Sequence, residues 1–215
     1  MEGCHLNELF IYCPQMPLIH ECDDFPKTDL SVRNGYWQQS LGWKTFEMCH
    51  GVQTSTQALA DEFLKRNDEV AIFPNQLFQL PQRKLFEEEP IKIFFGALNR
   101  KEAWQPIIAN INEALMQHPG VQVVVLQDRD FFDTLTCEGK VFYPVQSYAN
   151  YMKLLADCDI ALLPLNDTNF NSFKSDVKFI EAASAGIVVI SSPTIYEDTV
   201  QHERTGLVAR SGDSV

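Results

Sequence analysis

From residue 91 onward, short and nearly continuous apolar runs alternate with longer amphipathic stretches. The runs at 91–96, 121–126, 140–143, 159–163 and 187–191 read as strands. Their almost unbroken apolar character is what a parallel sheet covered on both faces requires. Between the first two, Trp104, Ile107, Ile108, Ile111 and Leu115 recur at helical spacing, so they are core positions of a helix over 102–118. Pro106 is tolerated there as a first-turn residue, and Pro119-Gly120 stops the helix. Ser147 caps a second helix. A third spans 175–185, with Gly186 as its stop.

The first part of the chain has the same grammar more loosely. A strand over 16–22 ends on Asp23 and Asp24, and a helical stretch follows near 36–49. A strand at 52–54, a helix from a Thr56 cap to about residue 65 and a strand at 69–73 precede Pro74-Asn75. Residues 79–90, with two prolines and three successive glutamates, suit an exposed connection. The predicted fold class is α/β with Rossmann-like parallel sheets. The domains expected are a partial Rossmann-like part over 1–84 and a nearly complete one over 85–215.

Composition narrows the function classes. The 215-residue chain is 45% hydrophobic, ordinary for a globular protein, and no apolar run approaches a membrane span. The first ten residues lack the basic and apolar regions of a signal peptide, so the expected location is cytoplasmic. A net charge of −12 with no basic stripe argues against an extended nucleic-acid site, yet a few local bases still suffice for a diphosphate. None of the six cysteines forms a CxxC pair, and no cysteine–histidine cluster has zinc spacing.

In doubly wound sheets ligands bind beyond the carboxyl ends of the strands. That rule nominates loops at 97–101, 144–147 and 164–175. The first holds Asn99, Arg100 and Lys101 after Gly96, which lets a phosphate approach backbone amides beside two bases. The third leads into Lys174, Ser175, Asp176 and Lys178 at a helix N-terminus, whose free amides suit an anion. Glu181, three residues beyond Lys178, is placed to take ribose hydroxyls; the alternative is an exposed i,i+3 ion pair worth little. Asp23 and Asp24 are weaker candidates, for the acceptor or sugar side, and capping explains them equally well. Asp128-Arg-Asp130 and Asp157-Cys-Asp159 match a two-acid metal pattern, but no oxygen-rich loop supports either, and no metal is expected.

Three segments together resemble a known family: Phe94-Phe-Gly-Ala-Leu-Asn-Arg-Lys101, Leu154-Leu-Ala-Asp-Cys-Asp-Ile-Ala-Leu-Leu-Pro164 and Lys174-Ser-Asp-Val-Lys-Phe-Ile-Glu-Ala-Ala-Ser-Ala-Gly-Ile-Val-Val-Ile-Ser191. In order and spacing they look like the C-terminal domain of group 1 (family 4-like) GT-B-fold glycosyltransferases. Glu203-Arg-Thr-Gly-Leu-Val208 and Pro74-Asn75 resemble further segments of that family. The resemblance implies a hexosyl transfer from a nucleotide diphosphate sugar to a glycan or lipid-linked acceptor, retaining and metal-independent. It implies no cofactor beyond that substrate, and leaves room for peripheral membrane contact. Arg100 and Lys101 would meet the diphosphate, Glu181 the ribose, and Ser175 and Asp176 the phosphate or sugar. The sequence departs from the pattern at Phe173, where the family's upstream glutamate contacts the sugar. A GT-B-like nucleotide-sugar epimerase and a non-catalytic nucleotide-binding module are the alternatives. The length suggests a piece of a longer enzyme, and this chain alone is expected to transfer sugar poorly.

Overall fold

The computed structural model describes residues 19–22, 44–81, 90–97 and 100–210, with the backbone alone at 19–22 and 44–45. Asp23, Asp24, Asn99 and most of the expected connection at 79–90 lie outside the described residues. The chain divides into two compact units, residues 1–75 with 172–175, and residues 76–171 with 176–215.

In the first unit, β1 (Ile19–Cys22), β2 (Gly51–Thr54) and β3 (Val70–Ile72) form a parallel sheet in that order. Helix α1 (Lys44–Met48) precedes β2, and α2 (Gln57–Phe63) follows it. The Thr56 hydroxyl accepts the Leu59 amide at 3.2 Å, the expected N-cap. Phe46, Phe63, Leu59 and Val52 close the small core, with the Phe46 and Phe63 rings 4.6 Å apart.

The second unit is a six-stranded parallel sheet: β4 (Lys92–Gly96), β5 (Gln122–Leu126), β6 (Lys140–Tyr143), β7 (Ile160–Leu163), β8 (Val188–Ser191) and β9 (Gly206–Val208). Their spatial order is β6-β5-β4-β7-β8-β9. The chain therefore winds outward from β4 to one edge, returns across the sheet, and winds outward from β7 to the other. That reversal creates a crevice between β4 and β7 at their carboxyl ends.

Alternation along the strands feeds two cores. Phe94, Val124, Leu126, Ala161, Leu163 and Val189 face α6 (Tyr148–Ala156), α7 (Val177–Ser184) and α8 (Pro193–Tyr196). Phe95, Val123 and Val125 face α3 (Lys101–Trp104), α4 (Ile108–Gln117) and α5 (Arg129–Thr134). Phe131 is wholly buried there, stacked on Phe95 at 3.9 Å and meeting the Trp104 edge at 5.4 Å. Both faces of the central strands are covered, which explains their unbroken apolar runs.

The structure departs from the expected elements at several points, helix α8 being one that was not foreseen. The helix foreseen over 102–118 is split, because Pro106 has no amide hydrogen for an α-helical bond and a 3₁₀ turn (Gln105–Ile107) takes its place. Helix α5 was not foreseen. Asp128 caps it, its Oδ1 accepting the Phe131 amide at 2.9 Å while Oδ2 accepts the Trp104 indole N–H at 2.9 Å. Asp159 accepts the Lys92 amide at 2.8 Å and Asp157 the Lys92 ammonium at 2.7 Å, so this pair ties down the start of β4. Among the described residues no group of three or more His, Cys, Asp or Glu could hold a metal ion, and no helix is long and apolar enough to cross a membrane.

Candidate functional site

Helix α7 begins two residues later than expected, at Val177, with Asp176 as its N-cap and no side-chain capping bond. Its first-turn amides have no partner within the helix and carry the positive end of its dipole. Gly186 ends the helix at φ 77°, a left-handed conformation that favours glycine. The helix packs on β7 and β8, following the loop after β7, so its N-terminus stands at the carboxyl end of the sheet.

Glu181 is 6% exposed, far from the solvated ion pair that its spacing with Lys178 left open. Its Oε2 accepts the Tyr151 hydroxyl at 2.6 Å, a donor supplied by α6. The same tyrosine presents its ring to the Lys178 ammonium, 5.1 Å from the centroid. Phe94 of β4 meets that ring edge-on at 5.8 Å. Tyr148, one turn earlier on α6 and 60% exposed, lies 5.9 Å from Tyr151.

The electrostatics reflect this crowding. Burial lowers the Lys178 ammonium from its ordinary range, Glu181 opposes that shift, and Arg100 adds to it. Burial raises the Tyr151 phenol, and the neighbouring Glu181 carboxylate raises it further, so it stays a donor. The Tyr196 phenol, buried on α8, is pushed up to about 12 chiefly by that burial, with Arg100 opposing and Asp176 and Glu181 reinforcing. Arg100, Asp176, Lys178 and Glu181 thus form one electrostatic neighbourhood floored by Tyr151 and Tyr196.

Other residues singled out in the sequence are placed differently. Gly96 ends β4; an added Cβ would stand 2.5 Å from the Phe94 ring, so the position is tight as well as close to the crevice. Lys101 bonds Asp130 at 2.7 Å on the exposed surface of the α3 and α5 side, and that carboxylate raises its pKa. Lys174 and Ser175 precede α7 and belong to the first unit, so Lys174 does not share a helical face with Lys178. Ser175 Oγ accepts the Asn75 side-chain amide at 2.7 Å. Phe173 packs against the Phe46 and Phe63 core, and its carbonyl accepts the Thr56 hydroxyl at 3.3 Å.

Tyr148, Tyr151 and Tyr196 are functional candidates that only the structure brings to the site. The two tyrosines of α6 are spaced i,i+3 directly after the Ser147 cap, and that spacing was the available signal. An apolar cleft of about 240 Å³ lined by Ile93, Phe95, Ile111, Leu162 and Ile190 offers little polar chemistry. It lies on the Phe95 face of the sheet, opposite the face packed by Tyr151 and Phe94.

The sequence matches no protein-family model and no curated protein. Solved structures do share its fold. The pneumococcal O-GlcNAc transferase GtfA in complex with UDP and GlcNAc aligns over 97% of this chain and 44% of its own, at TM-score 0.62 and 12% identity. A GtfA/B complex aligns over 98% of this chain and 45% of its own, at 0.61 and 13%. An S. aureus TarM mutant in complex with Fondaparinux, alpha-GlcNAc-glycerol and UDP aligns over 88% and 40%, at 0.61 and 12%. The chain spans less than half the length of each. At such identities the likeness establishes the fold: α/β with Rossmann-like parallel sheets of the GT-B type, as the sequence predicted.

Proposed function

We propose that the second unit binds the nucleoside diphosphate of an activated sugar, and that the protein transfers this sugar to a glycan or lipid-linked acceptor in the cytoplasm. One observation carries the reading. A buried carboxylate, Glu181, shares helix α7 with the half-buried Lys178 and is held by Tyr151 of α6, at the carboxyl end of a doubly wound sheet. The ligand suited to that pairing has hydroxyls and a di-anion a few ångströms apart. A ribose 5′-diphosphate has both: its hydroxyls bond the carboxylate, and its phosphates meet Lys178, Arg100 and the first amides of α7.

The chemistry follows from charge. When the sugar departs, negative charge accumulates on the diphosphate, and cations fixed in a poorly solvated site stabilise it without a metal ion. Lys101 joins them only by releasing Asp130, whereas Ser175 and Asp176 border the helix start. Retention of anomeric configuration belongs to the same proposal by family resemblance. UDP is the first nucleotide to try, because two proteins of this fold were crystallised with it.

Phe173 supports a second reading, a non-catalytic nucleotide-binding module. It stands where the resembling family has a sugar-contacting glutamate, and it is engaged with an aromatic core. Calorimetric titration with UDP, GDP, ADP and CMP, followed by a transfer assay with the sugar derivative of the tightest ligand, separates the readings. Binding with transfer supports the enzyme, and binding without transfer supports the module. No heat with any nucleotide excludes both.

A further inference from the structure

Lys178 and Glu181 are opposite charges one turn apart on α7, an arrangement that ordinarily collapses into an ion pair. Here it does not: among the described residues no salt bridge joins them. Each is engaged by a different part of one side chain. The Tyr151 hydroxyl donates to Glu181 Oε2 at 2.6 Å, and the Tyr151 ring sits 5.1 Å from the Lys178 Nζ. Phe94, wholly within the sheet core, fixes that ring edge-on at 5.8 Å.

We infer that Tyr151 is a positioning residue that holds Lys178 and Glu181 apart, leaving one charge for a diphosphate and the other for ribose hydroxyls. The inference rests on the nucleotide-binding reading above and adds what decides its selectivity. A phenylalanine would fill the same space between α6 and the sheet. It would leave the carboxylate without its close buried donor, with the exposed Tyr148 phenol left beside it, and freer to rotate toward the ammonium. Each charge would then be spent on the other, and the site would lose its preference for a ribose bearing both hydroxyls. The tyrosine is well chosen for this: burial and the adjacent carboxylate keep its phenol protonated across the physiological range.

The test separates the two arms of the ligand. UDP, GDP and ADP are titrated into the chain, each beside its 2′-deoxy and 3′-deoxy form, with inorganic pyrophosphate as the probe lacking a ribose. For Tyr151→Phe, the preference for the ribonucleotide over its deoxy forms falls about 5-fold or more, and pyrophosphate affinity falls about 3-fold or more as Lys178 is drawn onto Glu181. Tyr151→Leu, which also removes the ring beneath Lys178, weakens pyrophosphate binding at least as far. A merely structural tyrosine gives another pattern: lower melting temperatures with the ribose preference unchanged in both variants. That result overturns the positioning role while leaving nucleotide binding intact. A wild-type chain that binds no nucleoside diphosphate overturns the functional reading, and this role with it.

Discussion

Replacing Glu181 by alanine removes the one buried carboxylate of the proposed ribose site, and its cost can be worked from its surroundings. In the free protein the variant loses a hydrogen bond from Tyr151 to a charged acceptor, worth about 1.5–3 kcal/mol. Against this, the native state no longer keeps a carboxylate that is 6% exposed away from water, a cost of comparable size. The two terms oppose, so stability changes little. The ligand has no such compensation: bonds from ribose hydroxyls to the carboxylate are lost outright, about 1.5–3 kcal/mol, or roughly 10- to 150-fold in affinity. Glu181→Gln keeps the shape and a neutral acceptor, and falls between, at about 3- to 10-fold. Isothermal titration of nucleoside diphosphate into the three proteins, beside urea unfolding curves, measures both quantities. An unchanged dissociation constant for Glu181→Ala would refute the reasoning, whatever the unfolding curves show.

Three further outcomes are expected. Burial places the Lys178 ammonium below its ordinary range, so diphosphate affinity falls as pH rises through that lowered pKa, earlier than a solvated lysine would lose it; titrations from roughly pH 7 to 10 check this, and Lys178→Gln should flatten the profile. Nucleotide binding should survive EDTA, since Arg100 and Lys178 supply the positive charge; a strict Mg²⁺ requirement lost on changing Asp130 would contradict this. Asp128→Ala removes the cap of α5 and orphans the buried Trp104 indole N–H, so unfolding in urea should show a loss of about 2–4 kcal/mol.

The sheet of the second unit was legible because its signal is redundant. Every central strand is apolar on both faces, and two of the helices carry plain signals, the Ser147 cap and the Gly186 stop. The α5 helix was not legible, since six residues carry too little periodicity, and Asp128-Arg-Asp130 looked like a ligand pattern when Asp128 is a cap. The split at Pro106 was underestimated for a related reason: spacing of apolar residues survives a 3₁₀ turn, so periodicity alone does not report the break. At the site, Lys178 and Glu181 could be chosen by spacing, but their environment could not. Tyr151 is thirty residues from Glu181, and only the crossover that brings α6 beside α7 joins them. Lys101 shows the converse, a base whose position after β4 suggested an anion and whose nearest carboxylate, Asp130, comes from another helix.

The central claim is that a nucleoside diphosphate sits at the start of α7 with its ribose on Glu181. A crystal structure of the chain grown with its tightest-binding nucleotide tests this directly. The ribose hydroxyls are expected within hydrogen-bond distance of the Glu181 carboxylate and the diphosphate beside Lys178, Arg100 and the amides of Val177 and Lys178, with Tyr151 still bonded to Glu181. A nucleotide bound elsewhere, against the Lys101 and Asp130 surface or in the apolar cleft beneath Phe95, would contradict it.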